Sequence, residues 1–370
     1  MGQPFQDKNI NKTGVVSVVG ATCSIWWKYL TENKWEWKYF GKILLVSLVV
    51  WIGIPFRIWE RFRLKQKIKN TPIHPEPVFI LGHWRGGTTL LHNLLTSDKR
   101  FAYVTYLQGL FPHAFLASGF FRWFAVKIMP STRPMDNMKI NTESPQEEEL
   151  ALISQSGHSL YNMWIAPEKH LDFWQKYGHF SDEKSKKNWD KGYTQLLKAA
   201  TYNFEGKPLV LKNPPNTMRI PYLLEKFPNA KFVFICRNPY KVYASTYKLY
   251  RDVINFFQIQ EEDEENVVNN ILQIYREMNQ KYLKDRYLIP KENLIEIKFE
   301  DFVKDKMGGL ENIYEQLNLG DFETIRPTYQ AYLDSIKSYK KNKLRTDDKV
   351  RKDVNANWGF AFDAFGYEKE

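Results

Sequence analysis

Residues 77–91 read PVFILGHWRGGTTLL: a short apolar strand, a glycine-rich loop and the opening of a helix. That order builds an anion cradle. Gly82, Gly86 and Gly87 let the backbone turn tightly and come close to a ligand. Thr88 and Thr89 open a helix whose first N–H groups have no partner inside the helix and point at any negative charge there. The spacing from Gly82 to Gly87 is that of a G-x-x-x-x-G phosphate loop, but Thr88 stands where such a loop carries Lys. The positive charge lies inside the loop, at Arg85. A loop so changed is poorly suited to a triphosphate with Mg²⁺. It suits a smaller anion held by backbone, hydroxyls and one cation.

Further along, PLVLK (208–212), KFVFIC (231–236) and the first half of NLIEIKFED (293–301) read as buried strands, each followed by helical sequence. Alternating apolar strands and helices predict an α/β fold with a mainly parallel sheet and helices on both faces. Ligands of such sheets bind beyond the carboxyl ends of the strands. Three of those ends carry a cation: Arg85, Lys212 and Arg237. A further strand is expected near 101–105. A helix is expected in 144–157, with Ser144 ahead of Pro145 in its first turn. RIPYLLEKFPNA (219–230) reads as a helix stopped by Pro228. DEKSKKNWDKG (182–192) reads as a solvated turn, and EEDEE (261–265) as an acidic loop or helix start.

The chain has 370 residues and a formal net charge of +11, a balance that favours anionic partners. No pattern of a nucleic-acid-binding motif accompanies the charge, so no nucleic acid is expected. The only cysteines are Cys23 and Cys236. Cys236 ends an apolar strand and reads as a buried free thiol, which fits a reducing, cytoplasmic setting. Residues 1–72 read as a separate helical extension, rich in Trp and Lys, ahead of a main domain over 73–370. Within it, ILLVSLVVWIGIPF (43–56) is uncharged and is followed by the basic amphipathic stretch 57–70. As a helix, 43–56 reaches about two-thirds of the way across a hydrocarbon core of roughly 30 Å. Three readings stay open: a helix buried against the main domain, an anchor lying in or re-entering the cytoplasmic face of a membrane, and a full span. A cleaved signal peptide is not expected.

HWRGGTT together with FVFICRNPYKVYASTYKLY (232–250) resembles the sulfotransferases that use 3′-phosphoadenosine 5′-phosphosulfate (PAPS). Their loop has the form x-x-[KR]-S-G-T-T, and an Arg at a later strand end is followed eight residues on by Ser, here Arg237 and Ser245. RPMDNM (133–138), SPQEEELAL (from 144), LVLKNPP (209–215), LIEIKFEDFV (294–303) and WGFAFDAFGY (358–367) are similar to the larger, often bacterial branch. The resemblance implies a P-loop-like sulfotransferase fold from about residue 75 onward, and transfer of a sulfuryl group from PAPS without a metal. It implies Arg85 at the leaving oxygen, and Gly86, Gly87, Thr88, Thr89 and Leu90 around the 5′-phosphate. Lys212 would meet the sulfonate or bridging oxygen. Arg237 and Ser245 would hold the 3′-phosphate, with Lys341 and Arg351 of a late basic segment beside it. Two departures stand out: Gly86 replaces the usual Ser, and Pro214 occupies the place of the general-base His in small cytosolic members. Asp353 likewise stands in the Gly place of the late basic pattern.

For the base, the acidic turn after Pro145 is favoured, with Glu147 first and Glu148 and Glu149 competing; a carboxylate within reach of the acceptor can take its proton. His158 is a weaker candidate, and His83 shapes the loop. Each site residue also has a plainer reading: the acids as helix N-terminal charges, Arg237 as an ion-pair partner, Ser245 bonding its own helix, Lys212 solvated, and 337–352 a solvated helical face. The acceptor is expected to be a hydroxyl, or an amine, of an apolar, lipid- or sterol-like or carbohydrate molecule, from the Trp-rich N-terminus and the aromatic positions Phe111, Phe115, Phe120, Phe121, Trp123 and Phe124. A P-loop kinase and a nucleotide-binding module at the membrane surface without turnover are the rival readings.

Overall fold

In the computed structural model the described residues are 17–116, 119–128, 140–337 and 346–370. They fall into two compact units. One consists of His74–Ala102, Lys207–Lys248 and Val268–Glu370. It holds four parallel strands, β1 (Val78–Leu81), β2 (Val210–Lys212), β3 (Lys231–Cys236) and β4 (Leu294–Lys298), in the order β2-β1-β3-β4. The central pair is set by Val78 opposite Lys231 and Leu81 opposite Phe234, and β2 joins with Val210 opposite Val78. β1 is apolar throughout and wholly buried, as a strand covered on both faces must be. The edge strand β4 carries an exposed Glu296. Val78, Ile80, Val210 and Val233 form one core with Leu91 and Leu94 of the helix that follows β1. This order places the ends of β2, β1 and β3 side by side, as the three strand-end cations require.

The other unit consists of Met1–Ile73, Tyr103–Gly206 and Leu249–Val267. It is built of helices, beginning with α1 (Cys23–Glu32), α2 (Phe40–Ile52) and α3 (Ile54–Asn70). Thr22 caps α1 by accepting from the Ile25 N–H. α2 and α3 form nearly one helix, because the bonds Gly53 N–H to Val49 O (3.0 Å) and Arg57 N–H to Gly53 O (3.1 Å) carry the ladder through Gly53. Ile43, Val46 and Val50 face inward and are buried, each worth about 1.5–3 kcal/mol.

Three local expectations are corrected. Residues 101–105 form no strand: Ala102 makes a single bridge to Leu209, and Thr105 instead caps the short helix Tyr106–Leu110. The acidic helix spans Glu148–Gln155, later than Ser144 and Pro145 suggest. Residues 144–146 are extended, because Ser144 O accepts the Tyr106 N–H (2.7 Å) and the Gln146 N–H donates to Val104 O (2.8 Å). The Lys-rich stretch 182–192 is the start of a helix, Glu183–Asn203. Asp182 caps it through the Ser185 N–H, and Trp189, Tyr193 and Leu196 supply a buried face that holds it helical.

Candidate functional site: an anion cradle at three strand ends

β1 ends in a loop whose backbone is unusual at three points. Gly82 has φ 135°, Arg85 φ 67° and Gly87 φ 106°. A side chain at Gly82 would put its Cβ 2.4 Å from Ile235 O, so β1 and β3 close tightly there. At Gly87 a Cβ would lie 2.2 Å from the Phe299 ring. Arg85 is a non-glycine residue in the left-handed region, a strain met mainly where surroundings impose it. The Gly86 N–H donates to His83 O, 3.0 Å, and closes the loop.

The helix α4 (Thr88–Leu95) follows, with Gly87 at its N-cap. Its first internal donor is the N–H of Leu90, to Gly87 O at 3.1 Å. The N–H groups of Gly87, Thr88 and Thr89 precede that bond and form the positive mouth of the helix. Lys212, buried at the end of β2, reaches the Thr89 hydroxyl at 3.4 Å.

The third strand end joins the same cluster. Arg237 Nη1 donates to the Arg85 carbonyl, 3.0 Å, and Arg85 Nε donates to Ser245 Oγ, 2.7 Å. The Arg237 guanidinium lies 4.7 Å from the Phe299 ring centre. Its Nε is buried with no partner among the described residues. Burial pulls the Arg237 pKa below the usual guanidinium value; Glu300 opposes that pull, and Arg85 adds to it. Glu300 is already shared, accepting from the Asn238 N–H (3.2 Å) and the Tyr367 hydroxyl (2.8 Å). Arg237 bonded to the Arg85 backbone, with an unmet buried donor beside it, makes a place for an anion.

Sequence reasoning missed two supports of this cluster. Thr217 Oγ1 accepts the Gly82 N–H at 2.8 Å and fixes the start of the loop. Phe299 fills the space beside Gly87 and underlies Arg237. Phe299 had a signal, since it sits in the LIEIKFED stretch after β4. Thr217 had none beyond its nearness to Lys212. His83 is buried, with Nδ1 against Trp84 O (2.8 Å), and burial pushes its pKa down to about 4. It is a neutral part of the loop wall. Arg351 lies on the helix Asp348–Phe365, paired with Asp348 (3.0 Å) and Glu370 (3.3 Å). Lys341 lies outside the described residues.

The acid candidates belong to the helical unit. Glu149 is fully buried; its Oε1 accepts the Leu160 N–H (2.6 Å) and Trp189 Nε1 (3.3 Å). Glu148 is fully buried as well, whereas Glu147 is half-buried, at the N-cap of its helix. The Tyr161 hydroxyl donates to Glu147 Oε2, and the Tyr161 ring stacks on Trp164 with centres 4.0 Å apart. His158 meets the Tyr177 hydroxyl at 2.9 Å, and burial pushes its pKa down to about 4. Among the aromatic positions, Phe111, Phe115 and Phe121 are core residues, while Trp123 is exposed.

A phosphate-type loop with an internal Arg, on a parallel sheet and linked to an Arg and Ser beyond β3, defines a P-loop-like group-transfer fold. Residues 77–323 match the profile of the Sulfotransferase family, and the chain belongs to that family and is a transferase. It is 30% identical over 362 residues to the omega-hydroxy-beta-dihydromenaquinone-9 sulfotransferase Stf3 of Mycobacterium bovis and of Mycobacterium tuberculosis, covering 95% of this chain and 91% of the relative. Its fold is shared with sulfotransferase STF9 from Mycobacterium avium (TM-score 0.68, 18% identity, 99% of each chain). Sulfotransferase STF1 from Mycobacterium tuberculosis has it too (TM-score 0.61, 16% identity, 90% of each chain).

Proposed function

We propose that the enzyme moves a sulfuryl group from PAPS to the hydroxyl of an apolar, lipid-like acceptor. PAPS would supply the sulfuryl group and a phosphate leaving oxygen. The observation that carries the reading is the linked cluster Ser245–Arg85–Arg237, two cations and a hydroxyl from separate stretches of chain. The cradle fits a donor with two anionic ends. The N–H groups of Gly87, Thr88 and Thr89 would bind the 5′-phosphate. Arg237, through its unpaired Nε, would take the 3′-phosphate with Ser245. By accepting from Arg85, Ser245 leaves its own O–H free to donate. Lys341 and Arg351 are assigned to the same end.

Sulfuryl transfer, like phosphoryl transfer, asks the enzyme mainly to position its reactants and to stabilise charge on the leaving oxygen. Arg85 and Lys212 would do the latter. A guanidinium offers a fork of donors, and a buried ammonium acts in a medium that screens it weakly. Glu147 would accept the acceptor's proton. In its support, Glu149 is committed to two structural hydrogen bonds and Glu148 is sealed from solvent, whereas Glu147 keeps some exposure. The relative named for a hydroxylated menaquinone derivative supports a lipid alcohol as acceptor. We place the enzyme in the cytoplasm, where the free thiols Cys23 and Cys236 stay reduced.

Calorimetric titration with adenosine 3′,5′-bisphosphate and with 5′-AMP tests the donor. The bisphosphate should bind at least roughly tenfold tighter, as expected of a charge-assisted contact worth about 1.5–3 kcal/mol. Arg237→Ala should erase the difference. Equal binding of the two nucleotides to the wild-type protein would overturn the assignment. Transfer of labelled sulfonate from PAPS to a polyprenyl alcohol, against a phenol and a sugar, tests the acceptor.

A further inference from the structure

The helix pair α2–α3 has a second face that its packing leaves uncovered. Trp37, just ahead of α2, begins a stripe that continues through Phe40, Leu44, Leu48, Trp51, Ile58 and Phe62 at helical spacing, all exposed. Trp37 is 77%, Trp51 69% and Phe62 86% exposed. With neighbours such as Leu45 and Trp59, the stripe offers apolar surface on the order of 1,000 Å². The largest patch on an ordinary monomer is roughly 300–600 Å².

The charges within the helix pair itself are nearly all of one sign, although Lys38 at its start pairs with Glu36 and Glu261. Between residues 37 and 70 the chain carries eight Lys and Arg and a single acid, Glu60. Glu60 faces inward, where it is buried and accepts the Leu116 N–H at 2.8 Å. Arg61, Arg63, Lys65, Lys67 and Lys69 are exposed. From these observations we infer that α2–α3 docks the protein on an anionic lipid bilayer, lying in the plane of the interface. The complementarity decides the occupant. Aromatic and aliphatic side chains suit the acyl boundary, and flanking cations suit acidic headgroups.

The in-plane orientation follows from how the helix is held. At 34 residues, Trp37–Asn70 is long enough to cross a membrane. It is tied along its length to its own unit. Lys42 Nζ donates to Gln258 O (3.0 Å), Ser47 Oγ accepts Trp26 Nε1 (2.8 Å), Glu60 is held by Leu116, and Lys69 O accepts Lys198 Nζ (2.7 Å). Carrying the apolar run 43–56 across a bilayer would break the Lys42 and Ser47 bonds and strip Ile43, Val46 and Val50 of their packing. Lying flat keeps them all and buries only the exposed stripe. The inference does not depend on the sulfuryl donor or acceptor.

Flotation of the full chain with vesicles tests it. Binding is expected to phosphatidylcholine vesicles containing phosphatidylglycerol, and roughly tenfold or more weaker to phosphatidylcholine alone, given about 1 kcal/mol per Lys or Arg near a charged surface. Changing Arg61, Arg63, Lys65 and Lys67 to Gln should remove the preference. Trp51→Glu with Phe62→Glu should abolish binding to both, while adenosine 3′,5′-bisphosphate binding and the melting temperature stay as in the wild type. Lys34→Cys and Lys69→Cys, in a chain with Cys23→Ser and Cys236→Ser, report orientation. On bound vesicles both should react with an impermeant maleimide, whereas Leu48→Cys should be protected. Protection of only one end would show a span. No vesicle binding, with a concentration-dependent dimer lost on Phe62→Glu, would show that a second copy covers the stripe. Either result overturns the inference.

Discussion

Gly87→Ala tests how the cradle and its cationic end depend on each other. The perturbation is one methyl group. It has two costs in the structure. Gly87 sits at φ 106°, where an L side chain is strained by roughly 1–2 kcal/mol. Its new Cβ would lie 2.2 Å from Phe299 Cδ2 and 2.8 Å from Cε2, so the ring must move. Overpacking of that kind costs about 1–3 kcal/mol. The sum, about 2–5 kcal/mol, falls on the N-cap of α4 and on the ring under Arg237, 4.7 Å away. The variant should melt lower and bind adenosine 3′,5′-bisphosphate at least tenfold more weakly, with 5′-AMP also weakened, since about 1.4 kcal/mol is a factor of ten. Calorimetry and thermal melts read both. The double variant Gly87→Ala with Phe299→Ala removes the clash, so the added methyl should cost about 1–3 kcal/mol less there than in the wild type. If Gly87→Ala binds and melts like the wild type, or if the double variant shows no coupling, Phe299 does not transmit between loop and Arg237.

Thr217→Val keeps the shape but deprives the buried Gly82 N–H of its acceptor, which should cost about 1–3 kcal/mol in stability, with Thr217→Ser restoring most of it. Glu147→Gln should lower kcat by roughly 10²- to 10⁴-fold, leaving bisphosphate affinity unchanged in calorimetry. Glu149→Ala should instead lower the melting temperature, because the Leu160 and Trp189 N–H groups lose their acceptor. Acid should destabilise the fold well above the carboxylate range. Burial pushes His83 and His113 down to about 4 and His170 to about 3. Their unfolded forms bind protons near pH 6.5 while the native forms do not, so their stabilisation is full above 6.5 and is lost as pH falls toward 4. His158 and His92 are lowered by burial in the same sense, and Glu60, raised by burial to about 8, acts oppositely, one group against five. The net loss should be at least about 3 kcal/mol per pH unit between 6.5 and 4.5. A melting temperature flat across that window would refute it.

The sequence by itself determined the elements whose signal is local. Four short apolar runs, three glycines at fixed spacing and a cation at three of the strand ends were enough to read the parallel sheet and its cradle, because burial on both faces and positive φ leave marks in single residues. Capping and helix onset were less legible. Residues 144–146 pair with 104–106 rather than starting a helix, and Asp182 caps a helix where the Lys density suggests a turn. Tertiary structure alone decided which groups meet. Ser245 answers Arg85 across 160 residues, Thr217 holds Gly82 across 135, and Glu149 is withdrawn into the core by Trp189. It also turned α2–α3 so that Ile43, Val46 and Val50 face the core and Leu44, Leu48 and Trp51 face out. Composition is uniform around that helix, so only packing against a neighbour could choose the face.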